Sequence, residues 1–181
     1  IGATAIPAPI QKRPLISAQL NIDTPRPPVT TARPPATPGW HYLKGREYDR
    51  VGKYQMAVDE FTTVIRLDRS FPSAYWDRAR AYLALGQYQL AIHDLDKTIQ
   101  VGYSKDLPVY YNWRGYAYYN LGQYEMAIGD YNEAIRLGWK NATTYSNRSW
   151  AYRRLGKYAE ADADKAKVCS MDRFHRICRR P

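Results

Sequence analysis

Apolar residues recur at helical spacing from about residue 38 onward, and glycines interrupt the pattern at regular intervals. In one representative stretch, Tyr111, Tyr118 and Leu121 fall on one face of a helix. After a glycine, Ala127 and Tyr131 begin a second apolar face with the same periodicity. The pattern predicts two short amphipathic helices joined by a glycine turn.

This helix–glycine–helix pattern occurs four times. The turn reads Leu-Gly-Gln-Tyr at 85–88 and again at 121–124, and related turns surround Gly52 and Gly156. The four glycines are 34, 36 and 34 residues apart, and each is followed by tyrosine two residues later and alanine five residues later. Glycine at this point indicates a left-handed backbone at the helix end. A period of this length is typical of helical hairpins that bury their apolar faces only by stacking.

The repeat resembles the tetratricopeptide-repeat (TPR) family over about residues 38–172. The resemblance implies an all-α fold, namely a right-handed α-solenoid of four TPR helical hairpins behind an extended proline-rich N-terminal arm. The last unit departs from the family pattern at Ser149 and Lys165, which suits a terminal hairpin. The predicted organisation is an arm at 1–37, TPR units at 38–71, 72–107, 108–141 and 142–172, and a basic C-terminal segment at 173–181.

The chain is basic, with a formal net charge of +10, which favours an anionic partner or surface. Part of this charge is periodic. Four basic residues share one repeat position and four acidic residues share another, 16 residues later: Lys44, Arg78, Arg114 and Arg148, then Glu60, Asp94, Asp130 and Asp164. We predict a ladder of ion pairs inside the stack. The alternative is that these arginines bind a ligand.

Residues 1–37 differ in composition from the repeats, because they contain eight of the 12 prolines, mixed with threonines. Proline excludes helix and inner strand, so polyproline II or disordered chain is expected. The simplest interpretation is a flexible spacer. The alternatives are a segment that docks on a partner or neighbouring subunit and, in a secreted chain, a site of O-glycosylation.

The two cysteines fit neither a zinc site nor a disulfide-rich scaffold. Cys169 is either a buried apolar residue or, in an exported protein, bonded to Cys178. The first residue is Ile1, so we expect a periplasmic or extracellular location if Ile1 is a processed N-terminus, and a cytoplasmic one otherwise. No stretch approaches the roughly 18 apolar residues of a membrane span. The glycosylation patterns at Asn141 and Asn147 matter only in a secreted eukaryotic chain.

The sequence offers little catalytic chemistry. Its three histidines are scattered without metal-ligand spacing, and no catalytic triad, carboxylate pair or phosphate-binding glycine loop stands out. We therefore expect a protein that is not an enzyme and that uses no cofactor or metal.

In TPR proteins, the first helix of each hairpin lines a concave groove that binds extended peptides or a partner helix. The corresponding aromatic, amide and arginine positions would accept proline rings, a peptide backbone, and carboxylates or phosphates. One TPR subclass clamps chaperone carboxylates with a Lys/Asn pattern, but Tyr42 and Arg46 stand in its place here. The alternative is a solvated inner face without a ligand. The groove positions implied by the resemblance are Tyr42, Arg46, Asp49 and Arg50, then Trp76, Arg80 and Leu83, then Asn112, Tyr116, Tyr119 and Asn120, and finally Ser146, Trp150, Arg153 and Arg154.

The predicted function is a protein–protein interaction scaffold, or a subunit of a larger assembly, that binds an extended segment in this groove. The expected partner is another protein or a neighbouring subunit. In its sharpest form, the arm of one copy occupies the groove of the next, which would give a head-to-tail homo-oligomer or filament. The alternative is a basic TPR module that binds nucleic acid or another polyanion. That alternative is disfavoured because no base-reading repeat code is evident.

Overall fold

Every regular element of the described chain is helical. The computed structural model describes residues 37–101 and 105–179, and the arm predicted at 1–37 lies outside these ranges except for Thr37. None of the helices found there is both long and apolar enough to cross a membrane. The helices are α1 (Pro38–Arg50), α2 (Tyr54–Leu67), α3 (Pro72–Ala84), α4 (Tyr88–Val101), α5 (Leu107–Asn120), α6 (Tyr124–Arg136), α7 (Ala142–Arg154) and α8 (Tyr158–Met171), followed by a 3₁₀ helix at Arg176–Arg179, named the 3₁₀ turn below.

Consecutive helices pair into four hairpins: α1 with α2, α3 with α4, α5 with α6, and α7 with α8. The second helix of each hairpin packs on the first helix of the next, so the hairpins stack. Additional contacts join α1 to α3 and α5 to α7, which places first helices side by side along one wall. The predicted all-α solenoid of helical hairpins is confirmed.

The turn within each hairpin depends on its glycine. Gly86 has a φ of 72°, in the left-handed region that a side chain disfavours. Its amide donates to the carbonyl of Leu83 at 3.1 Å, and the amide of Gln87 donates to that of Tyr82 at 2.9 Å, which satisfies the end of α3. The same geometry recurs with φ of 75°, 77° and 72° at Gly52, Gly122 and Gly156.

Two hairpins are held closely together by a glycine that faces an aromatic ring. A Cβ added to Gly45 would lie 2.7 Å from the ring of Phe61, and one added to Gly115 would lie 2.9 Å from the ring of Tyr131. Both rings are fully buried. Because cores are close-packed, these glycines set the distance between the two helices of their hairpins.

The predicted ion-pair ladder is present. Arg114 donates through Nε and Nη2 to the two oxygens of Asp130, at 2.8 and 2.7 Å. Arg78 with Asp94 and Arg148 with Asp164 form the same bidentate pair at 2.6–2.8 Å. The first pair is looser, since Lys44 Nζ lies 3.3 Å from Glu60 Oε1. The three aspartates are buried, so the arginines serve the fold and are not free to bind a ligand.

Each ladder arginine also reaches back to the preceding hairpin, which the sequence analysis did not anticipate. Arg114 Nη1 donates to Asp96 of α4 at 2.6 Å, and its guanidinium lies 5.3 and 5.9 Å from the ring centres of Tyr111 and Tyr118. The corresponding backward hydrogen bonds run from Arg78 to Thr62 at 3.0 Å and from Arg148 to Asn132 at 2.6 Å. The ladder therefore joins neighbouring hairpins as well as the two helices of one hairpin.

The C-terminal segment folds back onto the last hairpin. Cys169 of α8 and Cys178 of the 3₁₀ turn form a disulfide, which decides between the two alternatives left open by the sequence. Ile177 is buried against Tyr145 and Val168. The disulfide and this apolar contact together fix the 3₁₀ turn against α7 and α8.

Candidate partner-binding groove

A cavity of about 640 Å³, named the central groove, runs along the wall of first helices. Its lining comes from α1, α3, α5 and α7, with one further residue at the start of α2. The first hairpin contributes Asp49 and Arg50, and the last contributes Thr143 and Asn147. Since residues of all four hairpins line one cavity, the stack curves around it.

The structure brings most of the predicted groove residues to this wall. Six of them line the central groove: Asp49, Arg50, Arg80, Leu83, Asn112 and Tyr116. Tyr116, Tyr119 and Trp150 line a smaller cavity of about 220 Å³, named the side pocket. Tyr42, Arg46, Trp76 and Arg80 line a third cavity of about 420 Å³.

The other four predicted residues have different roles. Asn120 donates to the carbonyl of Tyr116 in its own helix, at 2.8 Å. Ser146 is buried. The two arginines are also engaged, Arg153 with Asp162 at 2.7 Å and Arg154 over the ring of Tyr124 at 5.0 Å.

Asp77 organises the α1–α3 side of the wall, although the sequence analysis did not select it. Its carboxylate accepts from Tyr42 Oη at 2.8 Å and from Arg80 Nη1 at 3.3 Å, and Arg80 also lies 3.4 Å from Asp49. Burial, followed by the hydrogen bond to Asp77, raises the pKa of Tyr42 to about 12. The network holds the Arg80 guanidinium in place and balances its charge with two carboxylates.

The middle of the central groove offers an aromatic surface beside an amide. Trp113, which the sequence analysis missed, lies 6.1 Å from the ring of Tyr116, edge to face, and Tyr116 meets Tyr88 in the same way at 6.3 Å. Asn112 Oδ1 accepts from Thr144 Oγ1 at 2.8 Å, which leaves its Nδ2 group as the available donor. Such a surface can hold apolar side chains and donate to a peptide carbonyl.

One repeat position explains the missed residues. Asp77, Trp113 and Asn147 each lie two residues before the small residue of their first helix, and all three line a cavity. Leu43 holds the same position in α1 and lines a fourth cavity of about 490 Å³. Alignment of the four first helices would have identified this position from the sequence.

Metal chemistry finds no support in the described part of the chain, where no group of three or more His, Cys, Asp or Glu side chains is placed to hold an ion. The described architecture is that of an α-solenoid repeat protein with a continuous inner wall.

TPR family models match residues 42–106, 108–137 and 141–171. This chain belongs to the tetratricopeptide-repeat family. A search of curated proteins returns no match.

Several solved structures share the fold. MamA 41-end from Desulfovibrio magneticus RS-1 superposes with a TM-score of 0.72 at 22% identity, covering 78% of this chain and 79% of that one. MamA of AMB-1 gives a TM-score of 0.67 at 18% identity, covering 74% and 72%. The first TPR of Spaghetti (RPAP3), bound to the HSP90 peptide SRMEEVD, gives 0.60 at 25% identity, covering 66% of this chain and 94% of that one.

Proposed function

We propose that this protein is a non-catalytic interaction scaffold that holds an extended segment of a protein in its central groove. The observation that carries the proposal is the single cavity of about 640 Å³ to which all four first helices contribute. Its length along the stack suits an extended chain, because an elongated ligand can contact successive hairpins in turn.

The chemistry of the groove also suits a peptide. Trp113 is 37% exposed, and with Leu83 and Tyr116 it presents an apolar surface that a partner would cover. The amides of Asn112 and Asn147 stand beside this surface and can bond a peptide backbone. A related TPR domain has been solved with a bound peptide, which supports the ligand class.

A nucleic-acid partner has less support, because the three ladder arginines are committed to buried aspartates. Of the cations that remain on the inner wall, Arg80 is paired with two carboxylates. A polyanion would also show a steep loss of affinity with salt, which provides a simple means of discrimination.

We further propose that the occupant is the proline-rich arm of a neighbouring copy, so that copies join head to tail. Proline rings stack on exposed aromatic faces, and an extended arm loses little entropy on docking. The full chain and a chain that begins at Thr37 would be compared by multi-angle light scattering over a range of concentrations. Thr37 is retained because its hydroxyl accepts from the amide of Trp40 and caps α1.

The proposal expects concentration-dependent association of the full chain and a monomer for the shortened one. Trp113→Ala should weaken association, whereas Trp139→Ala should leave it unchanged. Trp139 is a matched control, since it is 38% exposed but lies in the connection between α6 and α7. An unchanged mass after removal of residues 1–36 would exclude the arm, and the groove would then be tested against other protein segments.

We also propose that the protein works in an oxidising compartment, because a disulfide such as Cys169–Cys178 persists there and is reduced in most cytosols. Alkylation of protein from its native source, followed by mass spectrometry, should find both cysteines blocked until a reductant is added. Free thiols before reduction would contradict this location.

A further inference from the structure

The side pocket contains two buried polar atoms that have no hydrogen-bond partner among the described residues: Tyr131 Oη and Trp150 Nε1. Tyr131 is 0% exposed and belongs to α6, and Trp150 belongs to α7. Buried donors without partners are rare in folded proteins because each has lost its bond to water. Both residues line the same cavity of about 220 Å³, so a ligand that enters it would meet both groups.

The lining of the side pocket can donate many hydrogen bonds and includes no carboxylate. The indole of Trp150 and the guanidinium of Arg176 donate only, while the Asn147 amide and the phenol hydroxyls can donate as well as accept. Burial raises the pKa of Tyr131, so its hydroxyl keeps its proton. A complementary ligand must therefore bring acceptor oxygens and, to balance Arg176, a negative charge.

The position of Arg176 is fixed by the fold. It is the first residue of the 3₁₀ turn, which is held to α8 by the Cys169–Cys178 disulfide and to the core by buried Ile177. A donor held on a rigid element loses little freedom when a ligand binds, which favours affinity. The sequence suggested only a solvated basic tail at this point.

The side pocket is continuous with the central groove, because Tyr116 and Asn147 line both cavities. A segment lying in the groove can thus place one short side chain, or its end, in the pocket. We propose that the side pocket binds a carboxylate of the partner segment, either an Asp or Glu side chain or a C-terminal carboxylate. This inference rests on the proposed groove function and adds an acidic anchor to it.

The indole N–H of Trp150 provides a direct probe in ¹H–¹⁵N spectra of the full chain, assigned by Trp150→Phe. Two probes carry the two sources of carboxylate: N-acetylglutamate N-methylamide for the side chain and N-acetylglycine for the chain end. We expect a saturable downfield shift of this resonance with at least one of them, and tighter binding of one identifies the source. N-acetylglutamine N-methylamide, the neutral counterpart, should produce no such shift.

Variants separate the pocket from general charge effects. Arg176→Gln should weaken carboxylate binding roughly tenfold or more, since it removes a charge-assisted hydrogen bond. Arg173→Gln, which removes an equal charge three residues earlier outside the pocket lining, should change it less than about twofold. Tyr131→Phe should weaken binding and retain the fold, because its hydroxyl makes no bond within the described protein.

The inference is overturned if the neutral amide shifts the Trp150 resonance equally, or if inorganic phosphate binds as tightly as the carboxylates. It is also overturned if Arg176→Gln has no more effect than Arg173→Gln. A protein segment that binds the groove while the carboxylate probes fail would leave the proposed function intact. Carboxylate binding without any segment binding would leave the pocket and remove the groove function.

Discussion

Arg114 allows the energetic role of the ladder to be measured within one residue's contacts. Its guanidinium binds the side chain of Asp130, which is 8% exposed, and that of Asp96, which is 50% exposed. Arg114→Met removes the guanidinium but keeps most of the apolar stem. Asp96→Asn removes only the exposed pair and serves as the matched control.

The expected magnitudes follow from burial. Without Arg114, Asp130 is left buried without its counter-charge, and breaking a buried pair in this way costs about 3–5 kcal/mol. Because the Arg114 side chain is itself 19% exposed, the lower end applies, and we expect a loss of about 3 kcal/mol in unfolding free energy. Loss of the exposed partner in Asp96→Asn should cost only about 0.5 kcal/mol.

The loss should also depend on pH. Burial raises the pKa of Asp130, and the hydrogen bonds from Arg114 oppose that rise, so the pKa rises further in Arg114→Met. An acid with a raised folded-state pKa gains stability as pH falls, because the folded state then holds the proton more tightly than the unfolded state. The difference between wild type and variant should therefore be largest near pH 7 and shrink toward about pH 4, the pKa of an unfolded Asp.

Urea unfolding followed by far-UV circular dichroism measures these free energies, provided that the slope with urea stays constant among the variants. The double variant Arg114→Met/Asp130→Asn should recover part of the loss, since it removes the buried charge as well. A loss below about 1 kcal/mol for Arg114→Met, or one equal to that of Asp96→Asn, would refute a stabilising role for the buried pair.

Three further predictions concern separate parts of the fold. Gly115→Ala should cost about 1–3 kcal/mol, because its Cβ would lie 2.9 Å from the buried ring of Tyr131. Gly129→Ala, in open space on α6, should instead stabilise by about 0.5–1 kcal/mol, and equal effects in urea unfolding would contradict the close approach. Cys178→Ser should lower the unfolding free energy by up to about 2.5 kcal/mol; reductant should do the same to wild type, and a wild type insensitive to reductant would show that the bond is not formed. Stability should fall as pH rises from about 10, the unfolded pKa of tyrosine, toward the folded pKa of about 12 at Tyr42. Tyr42→Phe should reduce this alkaline slope, and an unchanged slope would contradict the assignment.

The repeat and the ladder were predictable because each depends on geometry inside one hairpin. Two helices joined by a fixed glycine turn bring residues 16 apart into contact, so the pairing of Arg114 with Asp130 follows from spacing alone. The backward contacts depend on how adjacent hairpins stack. Their acceptors, Thr62, Asp96 and Asn132, differ in chemistry, so no charge pattern revealed them.

The candidate site was less predictable, because a repeat position specifies where a residue lies and not what its side chain does. Asn112 stands where the resemblance placed it, yet its carbonyl oxygen is taken by Thr144. Arg153 is directed to Asp162 of the neighbouring helix. The buried donors of the side pocket could not be inferred either, since Tyr131 occupies an ordinary core position and only the packing leaves its hydroxyl without a partner.

Stability and binding are assigned to different faces of each first helix. In α5, Arg114 and Gly115 contact α6, while Trp113 and Tyr116 line the central groove. Because the ladder and the glycine contact hold the hairpin from its second-helix side, the residues on the inner wall are not needed to close the core. The groove can therefore carry exposed aromatic side chains that a self-sufficient core would have buried, and these side chains remain available to a partner.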